Sequence, residues 1–372
     1  MKITALINKI NSVAPLKFAE KWDNVGINVG DGSAEISSAV TCLDISEEVI
    51  DFAISRQANL IISHHPLIFG NINSVTPSNL IGKIIYKLIQ NNITLLVLHT
   101  NFDKSVYNQS YDIAANLELK KLSPLKITDS EYLYKISVFV PDASCASLKQ
   151  ALSEAGAGSI GNYSECGYML SGFGEFRGNE SSNPAIGKPG ILEKVSETRL
   201  EMVFPEGLQS KIIDAVLKNH PYEEPAYDIY QLKNIYKQYG YGIIGEFDKP
   251  LKFEEFLNKL KSVISNESFI EIGNPPELIN KVGIVNGSGF EFYKNALAQK
   301  CDVFITGDIS YHRAHEIKFS GLYTLDCTHF GTEKNFSKCF DRLLAALIDT
   351  NGELNKIKFY SFENSVNPME RI

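Results

Sequence analysis

Apolar runs alternate with amphipathic stretches along the amino-terminal part of the chain, and this pattern predicts strands that alternate with helices. A first helix is predicted over residues 3–16, with an apolar face formed by Ile3, Leu6, Ile7, Ile10 and Val13. Further strands are predicted at residues 39–45, 60–65 and 93–99, and helices at residues 46–56 and 80–90. Such alternation favours right-handed βαβ units and a parallel sheet.

The carboxyl-terminal part repeats this alternation. It predicts strands at residues 281–286, 303–306 and 322–326, and helices at residues 290–300, 311–319 and 333–350. The two parts are separated by about 150 residues of different character, which is too long for a loop in a compact domain.

The middle segment predicts two further strand–helix–strand units. Its strands are expected at residues 134–140, 198–204 and 226–232, its helices at 146–154 and 208–219, and strand and loop in the glycine-rich residues 155–178. This order suggests a small ferredoxin-like domain inserted at a surface loop. We therefore predict an α/β fold, with a mostly parallel sheet flanked by helices in two related halves, from residues 1–126 and 238–372. Residues 127–237 are predicted to form the inserted α+β domain.

Composition and charge limit the binding partners and the cellular compartment that we expect for this protein. The formal net charge of −8 argues against a broad surface for nucleic acid or anionic membrane. No apolar run approaches the roughly 18 residues of a membrane span, and the amino terminus lacks a signal-peptide core. The six cysteines are scattered without a Cys-x-x-Cys pair, so we expect reduced thiols in a cytoplasmic protein.

Polar motifs follow four of the predicted strands. They are Ser63-His-His-Pro66, His99-Thr-Asn-Phe-Asp103, Thr306-Gly-Asp-Ile-Ser-Tyr-His312 and Asp326-Cys-Thr-His-Phe-Gly-Thr-Glu333. The carboxyl ends of parallel strands share one edge of a sheet, so we expect these side chains to meet there. Five of the seven histidines lie in these motifs, which favours a common site over a scatter of structural histidines.

Each motif alone has an ordinary structural interpretation. A histidine pair is often structural, Asp308 suits a helix cap, and a His329–Glu333 spacing of four is common on solvated helices. Together, three histidines and two carboxylates exceed what one tetrahedral zinc ion uses. They suit two divalent ions with a bridging carboxylate and bound water, and zinc, iron and manganese all fit such ligands.

The same motifs carry a resemblance. The segments SHHPLIF, HTNFD, TGDISYH and CTHFGTEK, with His220-Pro-Tyr-Glu-Glu-Pro225 in the middle segment, resemble the family of GTP cyclohydrolase I type 2 homologues, also called Nif-three-like proteins. The resemblance spans essentially the whole chain. It implies an α/β domain with a di-metal site, an insert similar to the signal-protein-P-two and CutA-type ferredoxin-like domains, and a toroidal hexamer built as a trimer of dimers.

The resemblance also implies roles for particular residues. The metal ligands would be His64, His65, Asp103, His329 and Glu333, with Glu333 as the bridge. His99 and His312 would line the pocket or support the ligands from behind, and in an enzyme they would move protons.

Two functions of different classes remain open at this stage. The first is a metal-dependent hydrolase acting on a nucleotide-like or phosphorylated small molecule, and the family name points to opening of the guanine ring of GTP. The second is a non-catalytic, metal-binding regulatory or scaffold assembly whose insert senses a ligand or a partner protein. Direct DNA binding is disfavoured by the acidic charge.

Overall fold

The computed structural model describes residues 1–264, 269–347 and 352–369 of the chain. Backbone contacts divide the chain into two units, of which the first comprises Met1–Thr128 and Tyr239–Ile372 and the second Asp129–Gln238. Within the described ranges no helix combines the length and the apolar character that crossing a membrane requires.

The strands and helices of the described residues are as follows. The strands are β1 (Gly26–Val29), β2 (Ser38–Cys42), β3 (Leu60–Ser63), β4 (Thr94–Val97), β5 (Lys120–Pro141), β6 (Tyr168–Arg177), β7 (Leu192–Pro205), β8 (Tyr227–Lys252), β9 (Ile270–Ile272), β10 (Leu278–Ser288), β11 (Val303–Gly307), β12 (Thr324–Asp326) and β13 (Lys358–Ser361). The helices are α1 (Ile3–Ile10), α2 (Glu47–Ser55), α3 (Leu80–Gln90), α4 (Thr100–Asp103), α5 (Gln109–Asn116), α6 (Cys145–Glu154), α7 (Gln209–Asn219), α8 (Phe253–Ile264), α9 (Tyr293–Ala298), α10 (Tyr311–Ser320), α11 (His329–Glu333) and α12 (Phe336–Leu347).

The first unit contains a five-stranded sheet with the order β1-β4-β3-β2-β13. Strands β4, β3, β2 and β13 run parallel, and β1 is antiparallel to β4 at one edge. Every residue of β2, β3 and β4 is buried, which explains their continuous apolar runs, since both faces of the sheet are covered. Helix α3 covers part of this sheet and buries Ile84, Ile85 and Leu88.

A second sheet completes this unit. Strand β10 pairs in parallel with β11, and β11 with β12, while β8 and β9 add antiparallel neighbours. The α/β fold class predicted from the sequence is confirmed, with two sheets flanked by helices. However, the four polar motifs follow strands of two sheets, not of one. The prediction of a single shared edge was therefore wrong, because apolar runs reveal strands but not their pairing.

Two predicted helices differ from those of the structure. Helix α1 ends at Ile10, well short of residue 16, since the chain then turns before Pro15. The helix predicted over residues 333–350 begins only at Phe336, because Glu333 is the last residue of the short α11. Its predicted end at residue 350 lies outside the described residues.

The second unit has the order strand, helix, strand, strand, helix, strand. Its central strand β7 is antiparallel to both β5 and β6. Side chains alternate between the faces of a strand. One face of β5 and β7 therefore presents the apolar residues Val138, Val140, Leu200 and Met202, which form one core with residues of α6 and α7. Phe139 and Arg199 belong to the opposite face.

Candidate metal centre

Short connections after three strands of the first unit carry the five side chains that the resemblance implies as ligands. His64 and His65 follow β3 directly, and Asp103 ends α4, which follows β4. His329 and Glu333 are the first and last residues of α11, where the four-residue spacing puts them on one helical face.

His64 is fully buried and its tautomer is fixed. Its Nδ1 lies 2.8 Å from the carbonyl oxygen of Leu98, which can only accept, so Nδ1 carries the hydrogen. The lone pair of Nε2 then faces two carboxylates, with Oδ1 of Asp103 at 3.6 Å and Oε1 of Glu333 at 3.7 Å. No described residue is a hydrogen-bond partner of this buried nitrogen.

His65 and His329 form a matched pair around the other oxygen of Glu333. Their Nε2 atoms each lie 2.9 Å from Oε2 of Glu333 and 3.2 Å from one another. Their Nδ1 atoms each donate over 2.7 Å to a carboxylate, that of Asp44 for His65 and that of Asp308 for His329. Glu333 therefore presents one oxygen to His64 and the other to this pair.

The carboxylates and histidines strongly change one another's ionisation. Burial would lower the pKa of His65, but hydrogen bonds to Asp44 and Glu333 raise it to about 9. Asp308 and Glu333 act in the same way against burial and raise the pKa of His329 to about 11. Burial opposes ionisation of Glu333, yet the surrounding imidazoles hold its pKa well below the usual value. Burial raises the pKa of Asp103.

These side chains fit divalent cations. Ligand atoms of His64, Asp103 and Glu333 lie within 4.8 Å of one another, and so do those of His65, His329 and Glu333. An unpartnered, buried imidazole lone pair facing two carboxylates is unfavourable unless a cation lies between them. Mixed imidazole and carboxylate donors suit zinc, iron and manganese.

Asn286 is a residue of this centre that sequence reasoning missed. It is buried near the end of β10, and its Nδ2 donates to Oδ1 of Asp103 at 2.8 Å and to Oε1 of Glu333 at 3.0 Å. Its Oδ1 accepts from Ser110 at 2.7 Å. One amide thus holds two carboxylates at a fixed spacing. No motif signals this role, since an asparagine after an apolar run is as often a turn residue.

The aspartates that orient the histidines were not identified as site residues either. Asp308 follows β11 within one of the four motifs, whereas Asp44, which comes just after β2, lay inside the strand predicted for residues 39–45 and gave no such signal. At the sequence level Asp308 suited a helix cap equally well. Such aspartates fix the tautomer of a ligating histidine and increase its basicity.

His99, predicted as a proton-moving residue, does lie in the cluster. Its ring nitrogen belongs to a group with His64 and His65 whose ligand atoms all lie within 4.8 Å. Nδ1 of His99 donates to Asp23 at 2.9 Å, and the side chain of Asp23 is fully buried. The exposed Trp22 contacts the ring of His99 edge-on, so the loop that carries Trp22 lies at the rim of the site.

His312 is not brought to this cluster. It lies exposed on α10, where its ring contacts Tyr311, and it belongs to none of the three ligand groups. The motif containing it contributes Asp308 instead. That His312 lines the pocket or moves a proton stays a prediction.

Comparison with known proteins identifies relatives over almost the entire chain. Residues 1–367 match the model of the family described as Duf34/NIF3 (NGG1p interacting factor 3). A protein of Halalkalibacterium halodurans named GTP cyclohydrolase 1 type 2 homolog is 38% identical over 316 residues, which cover 85% of each chain. A Listeria monocytogenes protein of the same name is 38% identical over 328 residues, covering 88% of this chain and 87% of the relative.

Solved structures share the fold. The crystal structure of a Bacillus cereus protein related to NIF3 is 31% identical and superposes with a TM-score of 0.89, covering 100% of this chain and 99% of the other. The Staphylococcus aureus protein SA1388 is 30% identical and superposes with a TM-score of 0.74 over the same shares of the two chains.

Proposed function

The chain belongs to the Duf34/NIF3 family, and we propose that it is a di-metal hydrolase of a nucleotide-like or phosphorylated small molecule. The observation that carries this proposal is the position of Glu333 between two sets of ligand atoms. Glu333 would be shared by the two ions. His64 and Asp103 would hold one of them, and His65 and His329 would hold the other.

The bound ions would lower the pKa of bound water and polarise the bond that is attacked. The protein's own residues prepare the site for this chemistry. Asp44 and Asp308 hold His65 and His329 with their Nε2 atoms turned toward Glu333. Asn286 keeps Asp103 and Glu333 at a fixed spacing, so the negative charge that attracts cations does not force the two carboxylates apart.

His99 is the residue that we propose moves a proton. Its Nδ1 hydrogen is held by the buried Asp23, which leaves the Nε2 lone pair as the basic atom of the ring. Thr100 also donates to Asp23 through its backbone N–H at 3.1 Å, so this carboxylate is doubly anchored. An imidazole oriented in this way takes a proton at Nε2 and returns it to a leaving group.

The substrate and the assembly are parts of the same proposal. Relatives carry the name GTP cyclohydrolase 1 type 2 homolog, so GTP is the first substrate to test. We propose zinc as the first metal to test, with iron and manganese as alternatives. The strand and helix order of residues 129–238 supports an inserted ferredoxin-like domain, and the family resemblance supports a toroidal hexamer.

Turnover tests the proposal. The metal-loaded protein is incubated with GTP and a panel of nucleotides and phosphoesters, beside His65→Ala and, as a matched control, His315→Ala. His315 is exposed on α10, outside the ligand groups. We expect turnover that survives in His315→Ala and is lost in His65→Ala. Equal turnover in all three proteins would indicate a contaminating enzyme, and the absence of turnover on the whole panel would contradict the hydrolase.

A further inference from the structure

The second unit contains a cavity of about 970 Å3 on the sheet face that α6 and α7 leave uncovered. Its floor is formed by residues of β5, β6 and β7 that share this face in register. Phe139 pairs with Arg199 across β5 and β7, and Gly172 pairs with Glu197 across β6 and β7. Its walls come from residues 178–185 and from the turn that contains Tyr222. The volume is in the range of small-molecule sites.

A buried carboxylate lies at the floor of this cavity. Glu197 is only 8% exposed, yet it lines the cavity. The hydrogen bond that the described residues make to this carboxylate comes from the hydroxyl of Tyr222, at 2.8 Å from Oε1. Oε2 lies against Gly174, where any larger residue would collide with it, since a Cβ atom there would come within 2.1 Å. No described residue donates a hydrogen bond to Oε2, so this oxygen can accept one from a ligand.

The remaining lining defines the chemistry of that ligand. Aromatic side chains border the cavity, with the rings of Phe176 and Tyr222 in edge contact at 5.5 Å. Exposed aromatic faces bind planar groups and cations. The charged residues on this sheet face and in the turn that contains Tyr222 are Arg199, Glu197, Glu223 and Glu224, an excess of negative charge. Arg199 is already paired with Glu201 at 2.6 Å. Hydrogen-bond donors are thus favoured over anionic groups.

We propose that this cavity binds a small planar ligand that presents adjacent N–H donors to Glu197, either a guanidinium group or the donor edge of a guanine base. In both, neighbouring N–H groups face a carboxylate in one plane, and the flat group lies against the aromatic walls. The site lies within the second unit and does not depend on the function of the metal centre.

The test is calorimetric titration of the full chain with guanosine and, separately, with agmatine. Inosine lacks the exocyclic amine of guanosine, and putrescine carries an ammonium in place of the guanidinium. We expect guanosine or agmatine to bind. Inosine should bind at least about tenfold more weakly than guanosine, or putrescine than agmatine, because a donor to the carboxylate is missing. Weaker binding of inosine than of guanosine would identify the guanine edge as the recognised group. Weaker binding of putrescine than of agmatine would identify the guanidinium group.

Two variants locate the binding. Glu197→Gln keeps an acceptor for Tyr222 but removes the charge, and we expect a loss of affinity of about tenfold or more. Gly172→Leu fills the cavity, since a Cβ at Gly172 meets nothing within 4 Å, and we expect no binding. Gly207→Ala is the control, because its Cβ also meets open space but it does not line the cavity. Thermal unfolding verifies that each variant is folded.

Four outcomes would overturn the proposal. The first is no binding of guanosine or agmatine to the wild-type protein at millimolar concentration. The second is unchanged affinity in both Glu197→Gln and Gly172→Leu. The third is a change of oligomeric state in Gly172→Leu, measured by light scattering, which would assign this face to a contact between copies. Glu333→Ala, which disturbs only the metal centre, should leave the affinity unchanged, whereas loss of binding there would put the ligand at that centre.

Discussion

A Cβ atom built on Gly287 would lie 2.3 Å from Oε1 of Glu333. Gly287 also has a φ of +61°, which other residues rarely adopt. Both the close approach to Glu333 and this backbone conformation therefore require a glycine. We predict that Gly287→Ala displaces the proposed bridging carboxylate and weakens metal affinity by about 10- to 100-fold, the range seen when groups that support ligands are changed. Competition with a chromophoric chelator measures this affinity.

Gly321→Ala is the matched control for this substitution. Gly321 has a φ of +79°, and its Cβ would meet nothing within 4 Å. Both variants should therefore lose about 1 kcal/mol or more of unfolding free energy from backbone strain. Only Gly287→Ala should lose metal affinity. Equal metal affinity in the two variants would show that Glu333 does not need its present position.

Removing the central carboxylate should reduce metal content more than any other single change. We expect the native protein to hold about two metal equivalents per chain and Glu333→Ala to hold well under one, because both ligand sets lose an oxygen. Glu48→Ala, an exposed carboxylate in the first turn of α2, is the control. Elemental analysis of both variants checks this, and one equivalent unaffected by Glu333→Ala would contradict a bridged pair.

Asn286 is predicted to matter for metal binding although it is not a proposed ligand. Without its amide, Asp103 and Glu333 would repel one another, and at least one of them would take up a proton that a cation must displace. We expect Asn286→Leu to weaken metal binding by about 10- to 100-fold, with a steeper rise of affinity as pH increases.

Ser110→Ala is the control for Asn286→Leu. It removes the donor to Oδ1 of Asn286 but leaves the two bonds from Nδ2. We expect a smaller loss of affinity and an unchanged pH dependence. If the metal affinity depends on pH in the same way in the wild type and in Asn286→Leu, the amide of Asn286 contributes only through packing.

The sequence predicts much of this centre, for identifiable reasons. The buried run Leu60–Ser63 ends directly in two histidines, and strands buried on both faces have a strong apolar signal. Asp23 and Asp44 give no such signal, because a single aspartate in a turn looks the same whether it caps a helix or orients an imidazole. Their roles depend on His99 and His65, which are separated from them by 76 and 21 positions.

The pairing between strands that are distant in the chain could not be predicted from the sequence either. Strand β13 lies parallel to β2, with Lys358 opposite Ser38, although its short run of four residues carries no sign of a partner so far away. The break between α11 and α12 was missed for a related reason. Phe336, Phe340 and Leu343 continue an apolar period that hides the two-residue interruption before Phe336.

The last prediction concerns pH and His220 in the second unit. Nε2 of His220 lies 2.9 Å from the carbonyl oxygen of Phe139, so Nε2 carries the hydrogen and donates. Nδ1 accepts from the backbone N–H of Tyr222 at 3.1 Å, and a proton on Nδ1 would break this bond. Burial lowers the pKa of His220 below its ordinary value of 6.5, more than Phe139 and Glu197 raise it.

The sign of the effect follows from this lowered pKa. At pH values below about 6.5 the unfolded chain binds a proton at His220 that the folded chain resists, so unfolding becomes more favourable. The stabilisation from His220 is complete above that pH and is lost as the pH falls toward the folded-state pKa. We expect the free energy of unfolding of the wild type, measured by urea denaturation, to decrease more between pH 8 and pH 5.5 than that of His220→Gln. Other titrating groups cancel in this comparison, and equal decreases in the two proteins would show that His220 is not buried in its neutral form.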